Sequence, residues 1–210
     1  FCYDNHHPPE TAEAISEDVV KAVLRDQEYA VGTIVPIVHG PISLLPVAAQ
    51  KVAEQLRPIL LAVPERALGE GIAARTRSIR RIRQALDALG FYCPLHLLGT
   101  GNPISIIAYT IAGADSFDGL EWCQTVVDHK TAMLFHFHHW DFVREQTKWG
   151  SNGILSYIQS ALMHNLDFYA TFMGSLRDAV QRDVLREFLG MYLSEDRAEI
   201  IYNAASEGSN

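Results

Sequence analysis

The sequence predicts an α/β protein of the (β/α)8 TIM-barrel type, with this chain covering about the last five barrel strands plus a C-terminal helical segment. Three observations predict it. Short apolar runs rich in β-branched and aromatic residues alternate with longer stretches of helical periodicity, at a strand-plus-helix spacing of about 25–35 residues, the repeat of a βα unit. The glycine loop Gly99-Thr100-Gly101-Asn102-Pro103 leads into the apolar helical stretch Ile104 to Gly113, and this leads into a run that carries a carboxylate, Asp118. A strand, a helix and a second strand are thereby laid out in order. The carboxylate falls at the C-terminal end of its strand, where barrel enzymes keep their chemistry.

Taken in order, Phe1 to Tyr3 reads as a strand that ends in Asp4. Pro9 to Ala30 reads as a helix, with Ala12, Ile15, Val19, Val23 and Leu24 near a single face. The runs Thr33 to Val38, Pro58 to Val63, Pro94 to Leu98 and Ser116 to Leu120 read as buried parallel strands. Leu45 to Leu56 and Gly71 to Leu89 read as the intervening helices, the second with the stripe Ile72, Ile79, Ile82, Leu86 and Leu89. After Asp118 the alternation stops. Thr131 to Phe137 is a candidate further strand, Asn152 to Leu193 reads as helical throughout, and the small polar tail from Ala204 is expected to fray. The expected division is 1–150 for the C-terminal portion of the barrel and 151–210 for helices packed on it. Five strands do not close an eight-stranded barrel. The chain also opens on Phe1 rather than Met, so three further strands are expected upstream.

At 210 residues, 48% apolar and 20% charged, the composition is that of a globular protein with one sizeable core. No apolar run is long enough to span a bilayer, and no signal peptide is visible. The three cysteines, Cys2, Cys93 and Cys123, are odd in number and widely spaced. That fits a reducing compartment, and a cytoplasmic location is expected. A formal charge of -8 gives no general nucleic-acid footprint but leaves room for a local basic patch.

Several motifs, in register along the chain, resemble those of the tRNA-guanine transglycosylase family. Phe1-Cys2-Tyr3-Asp4 followed by Pro8-Pro9 resembles the family's strand with a base-reading aspartate. Ile37-Val38-His39-Gly40 resembles its Ile-Val-Gln-Gly. Ala62-Val63-Pro64-Glu65-Arg66-Ala67-Leu68-Gly69-Glu70-Gly71 resembles its Ala-Val-Gly-Gly-Leu-Ala-Val-Gly-Glu-Gly. Leu97 to Pro103 resembles the loop before the last barrel strand, Gly113 to Asp118 the strand bearing the nucleophile, and His164-Asn165-Leu166-Asp167-Phe168-Tyr169 the His-Asn-Leu-x-Phe-Tyr of a C-terminal helix. The likeness runs from Phe1 to about Val180. It implies a divergent pentosyltransferase that replaces guanine by a 7-deazaguanine base in tRNA, as in queuosine or archaeosine formation. Two alternatives stay open: the same chemistry on DNA, and a catalytically silent nucleic-acid-binding or partner subunit, in a homo- or hetero-dimer.

By that resemblance Asp118 attacks C1′ of the sugar. The chemistry suits a carboxylate, because the oxocarbenium-like transition state wants a nearby anion and the sugar then waits as a covalent ester. Asp115, three residues earlier, reads as a turn residue. Asp4 would accept from N1–H and the exocyclic amine of a guanine-type base, or would cap the helix after Pro8-Pro9. His39 replaces the family's glutamine and reads equally as a base contact or a core histidine. Pro64-Glu65-Arg66 replaces Gly-Gly-Leu, so a backbone N–H is lost; either Glu65 accepts from the base and Arg66 holds a phosphate, or the pair only shapes the loop. The general base is expected from the part upstream of Phe1, so the 210-residue piece alone is expected to be inactive.

Arg75, Arg77, Arg80, Arg81 and Arg83 crowd one helix, and Arg77, Arg80 and Arg81 are the candidate nucleic-acid contacts, against the alternative of a solvated face. The resemblance also implies a structural zinc held by a Cys-x-Cys-x-x-Cys cluster and the histidine at His164. No cysteine follows Cys123, so no cofactor is expected. Zinc is kept as an option that would need His136, His138 and His139 in place of thiolates.

Overall fold

The structure is a computed structural model and describes residues 9–207. The predicted strand Phe1 to Tyr3 and the candidate Asp4 lie outside the described residues. The chain divides into two compact units. The first holds 9–99, 109–118 and 200–207 of the described residues, and the second holds 100–108 and 119–199.

In the first unit, α1 (Ala12–Gln27) starts at Thr11, whose hydroxyl accepts the Ala14 N–H at 3.2 Å. Helix α2 (Leu45–Leu56) has Pro46 in its first turn and stops where Arg57 turns left-handed at φ 43°. It packs against both α1 and α3 (Gly71–Asp87), burying Ala48, Ala49, Val52 and Ala53 completely. Three strands form a parallel sheet in sequential order: β1 (Leu61–Pro64), β2 (Leu95–Leu98) and β3 (Ser116–Phe117). Helix α4 (Pro103–Ala112) follows β2 and precedes β3 along the chain, with 103–108 counted in the second unit and 109–112 in the first. Pleating sends Leu61, Val63, Leu95 and Leu97 to one face, where all are fully buried. Ala62, His96 and Leu98 point to the other face, into a cavity of about 1000 Å³ that the segment after α1 also lines.

The barrel expectation is overturned. The described residues are mainly helical, and their strands form this three-stranded parallel sheet and a separate two-stranded antiparallel one; they form no (β/α)8 barrel. The backbone gives the reasons. Thr33 to Val38 does not become a strand: it touches β1 only around Ala62, which donates to Pro36 O and accepts from Val38 N, both at 2.9 Å. Pro36 has no N–H with which to extend a ladder. Strand β3 is two residues long, and just past it the Asp118 N–H still donates to Leu97 O at 3.3 Å. Thr131 to Phe137 does not extend the parallel sheet either. Its β5 (Leu134–His136) pairs antiparallel with β4 (Thr125–Val127), across a turn in which Asp128 accepts from Lys130 N and the Thr131 hydroxyl at 2.9 Å each.

That hairpin belongs to the second unit. It follows the single-turn α5 (Glu121–Gln124) and packs on α6 (Tyr157–Gln181). Helix α6 begins with a capping box in which Ser156 and Gln159 satisfy each other's backbone N–H groups. A small core of Val126, Trp140, Val143 and Ala161 forms beside it. The predicted continuous helix over Asn152 to Leu193 is broken at Asp183, at φ 56°, before α7 (Leu185–Gly190). Helix α8 (Glu195–Ser206) ends the described chain.

Candidate functional site

The parallel register gathers the predicted site residues at one edge. Ile37, Ala62, His96 and Ser116 stand side by side across the sheet. Two residues further along come the paired Pro64 and Leu98, while His39 and Asp118 each follow two residues after Ile37 and Ser116, past the paired positions.

Asp118 lies just past β3 with its side chain 57% exposed. Its carboxylate is aimed by the glycine loop. The N–H of Gly99, a residue at φ 82° that few side chains tolerate, donates to Oδ1 at 2.6 Å. Oδ2 accepts nothing among the described residues, so one carboxylate oxygen is fixed and the other open.

His96 was missed by sequence reasoning and is the group nearest that carboxylate. Its Nε2 lies 3.8 Å from Asp118 Oδ1, and its Nδ1 is 2.6 Å from the Ser116 hydroxyl. The ring is only 15% exposed and lines the 1000 Å³ cavity. The available signal was the alternation in Leu95-His96-Leu97, which sets a polar ring opposite two buried leucines. Its partner, 20 residues away, is fixed only by strand register.

Other candidates are held by the protein. Glu65 Oε1 accepts from Arg75 Nη1 and from the Tyr109 hydroxyl, both at 2.8 Å, while Arg75 Nε donates to Gly69 O at 2.9 Å. The structure thus pairs Glu65 with Arg75 and braces the turn after β1; Arg66 beside it is exposed. His39 is half-buried. Asp115 is structural: its carboxylate accepts the Leu95 N–H at 2.8 Å and the Tyr92 hydroxyl, and lies 3.6 Å from Arg83 Nη1. Arg83 runs buried beneath Gly113, where a Cβ would lie 2.4 Å from the arginine stem. Arg83 and Arg75 therefore leave the solvent face of α3. Arg77, Arg80 and Arg81 share a face by their helical spacing, and of these Arg77 meets Glu207 at 3.2 Å and Arg81 is exposed.

His164, the candidate zinc ligand, is fully buried with both ring nitrogens engaged. Nε2 lies 2.7 Å from Val127 O and Nδ1 lies 3.2 Å from the Thr147 hydroxyl. The carbonyl can only accept, so Nε2 carries the proton and Nδ1 accepts from Thr147. His136 and His138 do not line one strand face as expected, since His138 falls in a 3-10 turn and donates its N–H to His136 Nδ1 at 3.3 Å. No group of three or more His, Cys, Asp or Glu side chains able to hold a metal occurs among the described residues. The residues around His164 do not fit a zinc ion.

Burial pushes the His164 imidazole down to about 4, with His129, tilted against it at 4.1 Å between ring centroids, acting in the same direction. The Val127 carbonyl, Asp167 and Asp128 oppose this. Burial lowers His129 as well. The folded state therefore resists a proton that the unfolded chain accepts from about pH 6.5 downward, so the contribution is whole above that pH and is lost as pH falls to about 4. For His164 it amounts to about 3 kcal/mol. All three tryptophans, Trp122, Trp140 and Trp149, lie in this unit. Urea midpoints followed by tryptophan fluorescence should fall steadily between pH 7 and pH 4, and His164→Gln should flatten that slope. An unchanged slope in the variant would remove His164 as the cause.

No protein-family model matches this chain, and no curated protein matches it. Cys93 and Cys123 are both free thiols, Cys93 buried in the first unit and Cys123 half-buried in the second. No helix among the described residues is long and apolar enough to cross a membrane.

Proposed function

We propose that this protein is a base-exchanging pentosyltransferase, which replaces a guanine in tRNA by a 7-deazaguanine base through a covalent Asp118–sugar intermediate. The observation that carries the reading is the Asp118 carboxylate, fixed through Oδ1 by the Gly99 amide, open at Oδ2, and 3.8 Å from His96, which lines a cavity of about 1000 Å³. A cavity of that size holds a purine base with room for its sugar.

The chemistry follows from the donor set. Asp118 Oδ2 bonds to C1′ as the bond from C1′ to the purine nitrogen breaks, and the departing base takes the electron pair. The incoming base reverses the step and frees the carboxylate. The Gly99 N–H keeps Asp118 aimed throughout without neutralising it. A base within a folded nucleic acid must leave its stack to reach this edge. Arg77, Arg80, Arg81 and Arg66 are the side chains proposed for the phosphate backbone.

The test is incorporation of labelled guanine by the full-length protein into tRNA and into duplex DNA. Incorporation into tRNA supports the reading. Incorporation into DNA alone keeps the chemistry and changes the polymer. Binding of either polymer without incorporation would replace the enzyme by a silent nucleic-acid-binding or partner subunit.

A further inference from the structure

We infer that His96 is the proton carrier of this site: it protonates the departing base and takes the proton back from the incoming one. The inference rests on the base-exchange reading and gives to this chain's own His96 the proton transfer that the resemblance expects from upstream of Phe1, since cleavage at C1′ leaves negative charge on a purine nitrogen that needs a proton.

The placement supports it in four ways. His96, which lines the cavity, has its Nε2 3.8 Å from Asp118 Oδ1. That separation is too long for a hydrogen bond, so the imidazole is not consumed in holding the carboxylate. It lines the cavity together with apolar Ile37, Ala62 and Leu98 and with Arg25 and Asp26. Ser116 holds the ring from behind at 2.6 Å. A hydroxyl both donates and accepts, so Ser116 can bond Nδ1 whether the ring is charged or neutral, and the ring keeps its orientation as the proton moves. The charged groups facing the ring are Asp118 on its own sheet edge and Arg25 and Asp26 across the cavity.

The step balances. In the forward direction Asp118 Oδ2 gains the bond to C1′, the bond from C1′ to the base breaks, and the proton on His96 Nε2 passes to the base. The base departs neutral and the imidazole is left neutral. In the return direction the incoming base gives up its ring N–H proton to Nε2 as its nitrogen bonds to C1′.

A leaving group that needs no proton separates this role from a structural one. A 7-methylguanine in the nucleic acid already carries a positive charge and departs as a neutral base when the bond breaks. The experiment compares His96→Gln with wild type, in the full-length protein, on guanine exchange and on release of 7-methylguanine. Guanine exchange is expected to fall about 100-fold, the usual range for losing a general acid, while 7-methylguanine release stays within about threefold of wild type. Ser116→Ala, which keeps the imidazole and removes its support, should lose about tenfold on guanine and again little on 7-methylguanine. Equal losses on both substrates would overturn the proton-carrier role and leave His96 a structural ring. Guanine exchange unchanged in His96→Gln would overturn it too. Absence of either reaction in wild type would bring down the base-exchange reading itself, a result distinct from the other two.

Discussion

Asp118→Asn is expected to lower guanine exchange by about 1000-fold or more while leaving the fold intact. The substitution keeps the shape of the side chain, and its amide oxygen still accepts the Gly99 N–H now held at 2.6 Å. It loses the charge that meets the oxocarbenium-like transition state and the nucleophilic oxygen that bonds to C1′. The side chain is 57% exposed, so the change in stability should stay within about 0.5 kcal/mol. Two measurements check this: kcat/KM for labelled guanine, and trapping of a protein–nucleic acid adduct on a denaturing gel, which should disappear in the variant. Asp115→Asn provides the contrast. Its carboxylate accepts from Leu95 N and Tyr92 and faces Arg83, so that variant should lose stability first and exchange only in proportion. A variant at Asp118 that still forms the adduct would remove it from the chemistry.

What the sequence made legible was local. Leu45–Leu56 is a helix over the span its apolar periodicity predicts, and the helix at Gly71 runs to Asp87, close to the stripe that marks it. The parallel strands around Leu61 to Val63 and Leu95 to Leu98 also stand where short apolar runs place them. What failed was the inference from strands to a closed barrel. Closure depends on hydrogen-bond registers between distant segments, which an apolar run does not encode, and Pro36 limits one predicted strand to a single bridge. Thr125 to Val127 is three residues long and follows directly on the single turn of α5, so no apolar run marks it as a strand. The Asp128 side chain, bonded to Lys130 N and Thr131, is the hairpin signal it carried. The same limit explains the site. Asp118 and the glycine loop are near neighbours in sequence and were visible as a pair. His96 pairs with Ser116 only through the register of β2 on β3, so no spacing rule reached it. Glu65 was weighed with Arg66, its chain neighbour, yet its partners are Arg75, one turn into the next helix, and Tyr109.

Asn165→Leu is expected to destabilise the second unit by about 3–5 kcal/mol, the largest stability effect we predict at a single position. The motif His164-Asn165-Leu166-Asp167-Phe168-Tyr169 places two polar side chains on the buried face of α6, which propensity alone disfavours. The structure gives the reason. Asn165, 1% exposed, accepts the Val127 N–H at 3.0 Å and donates to Trp122 O at 2.8 Å and Thr125 O at 2.7 Å. Three backbone groups of α5 and β4 thus depend on one amide. His164 bonds the carbonyl of the same Val127, and Tyr169 donates its hydroxyl to Gly101 O at 2.7 Å. The helix is therefore tied to strand and loop backbone, where apolar packing alone would leave the strand free to slide. Leucine fills nearly the same volume, so lost hydrogen bonds rather than a cavity would set the effect, at about 1–3 kcal/mol for each unpaired buried group with partial relaxation. Asn165→Asp should do no better, because it keeps the acceptor for Val127 but turns a second acceptor toward two carbonyls. Leu166→Gln, one residue along on the exposed side of α6, should change stability by less than about 0.5 kcal/mol. Urea unfolding followed by tryptophan fluorescence reads all three variants. A midpoint for Asn165→Leu within experimental error of wild type would mean that the strand backbone finds other partners, and that the paired polar residues of α6 do not hold the second unit together.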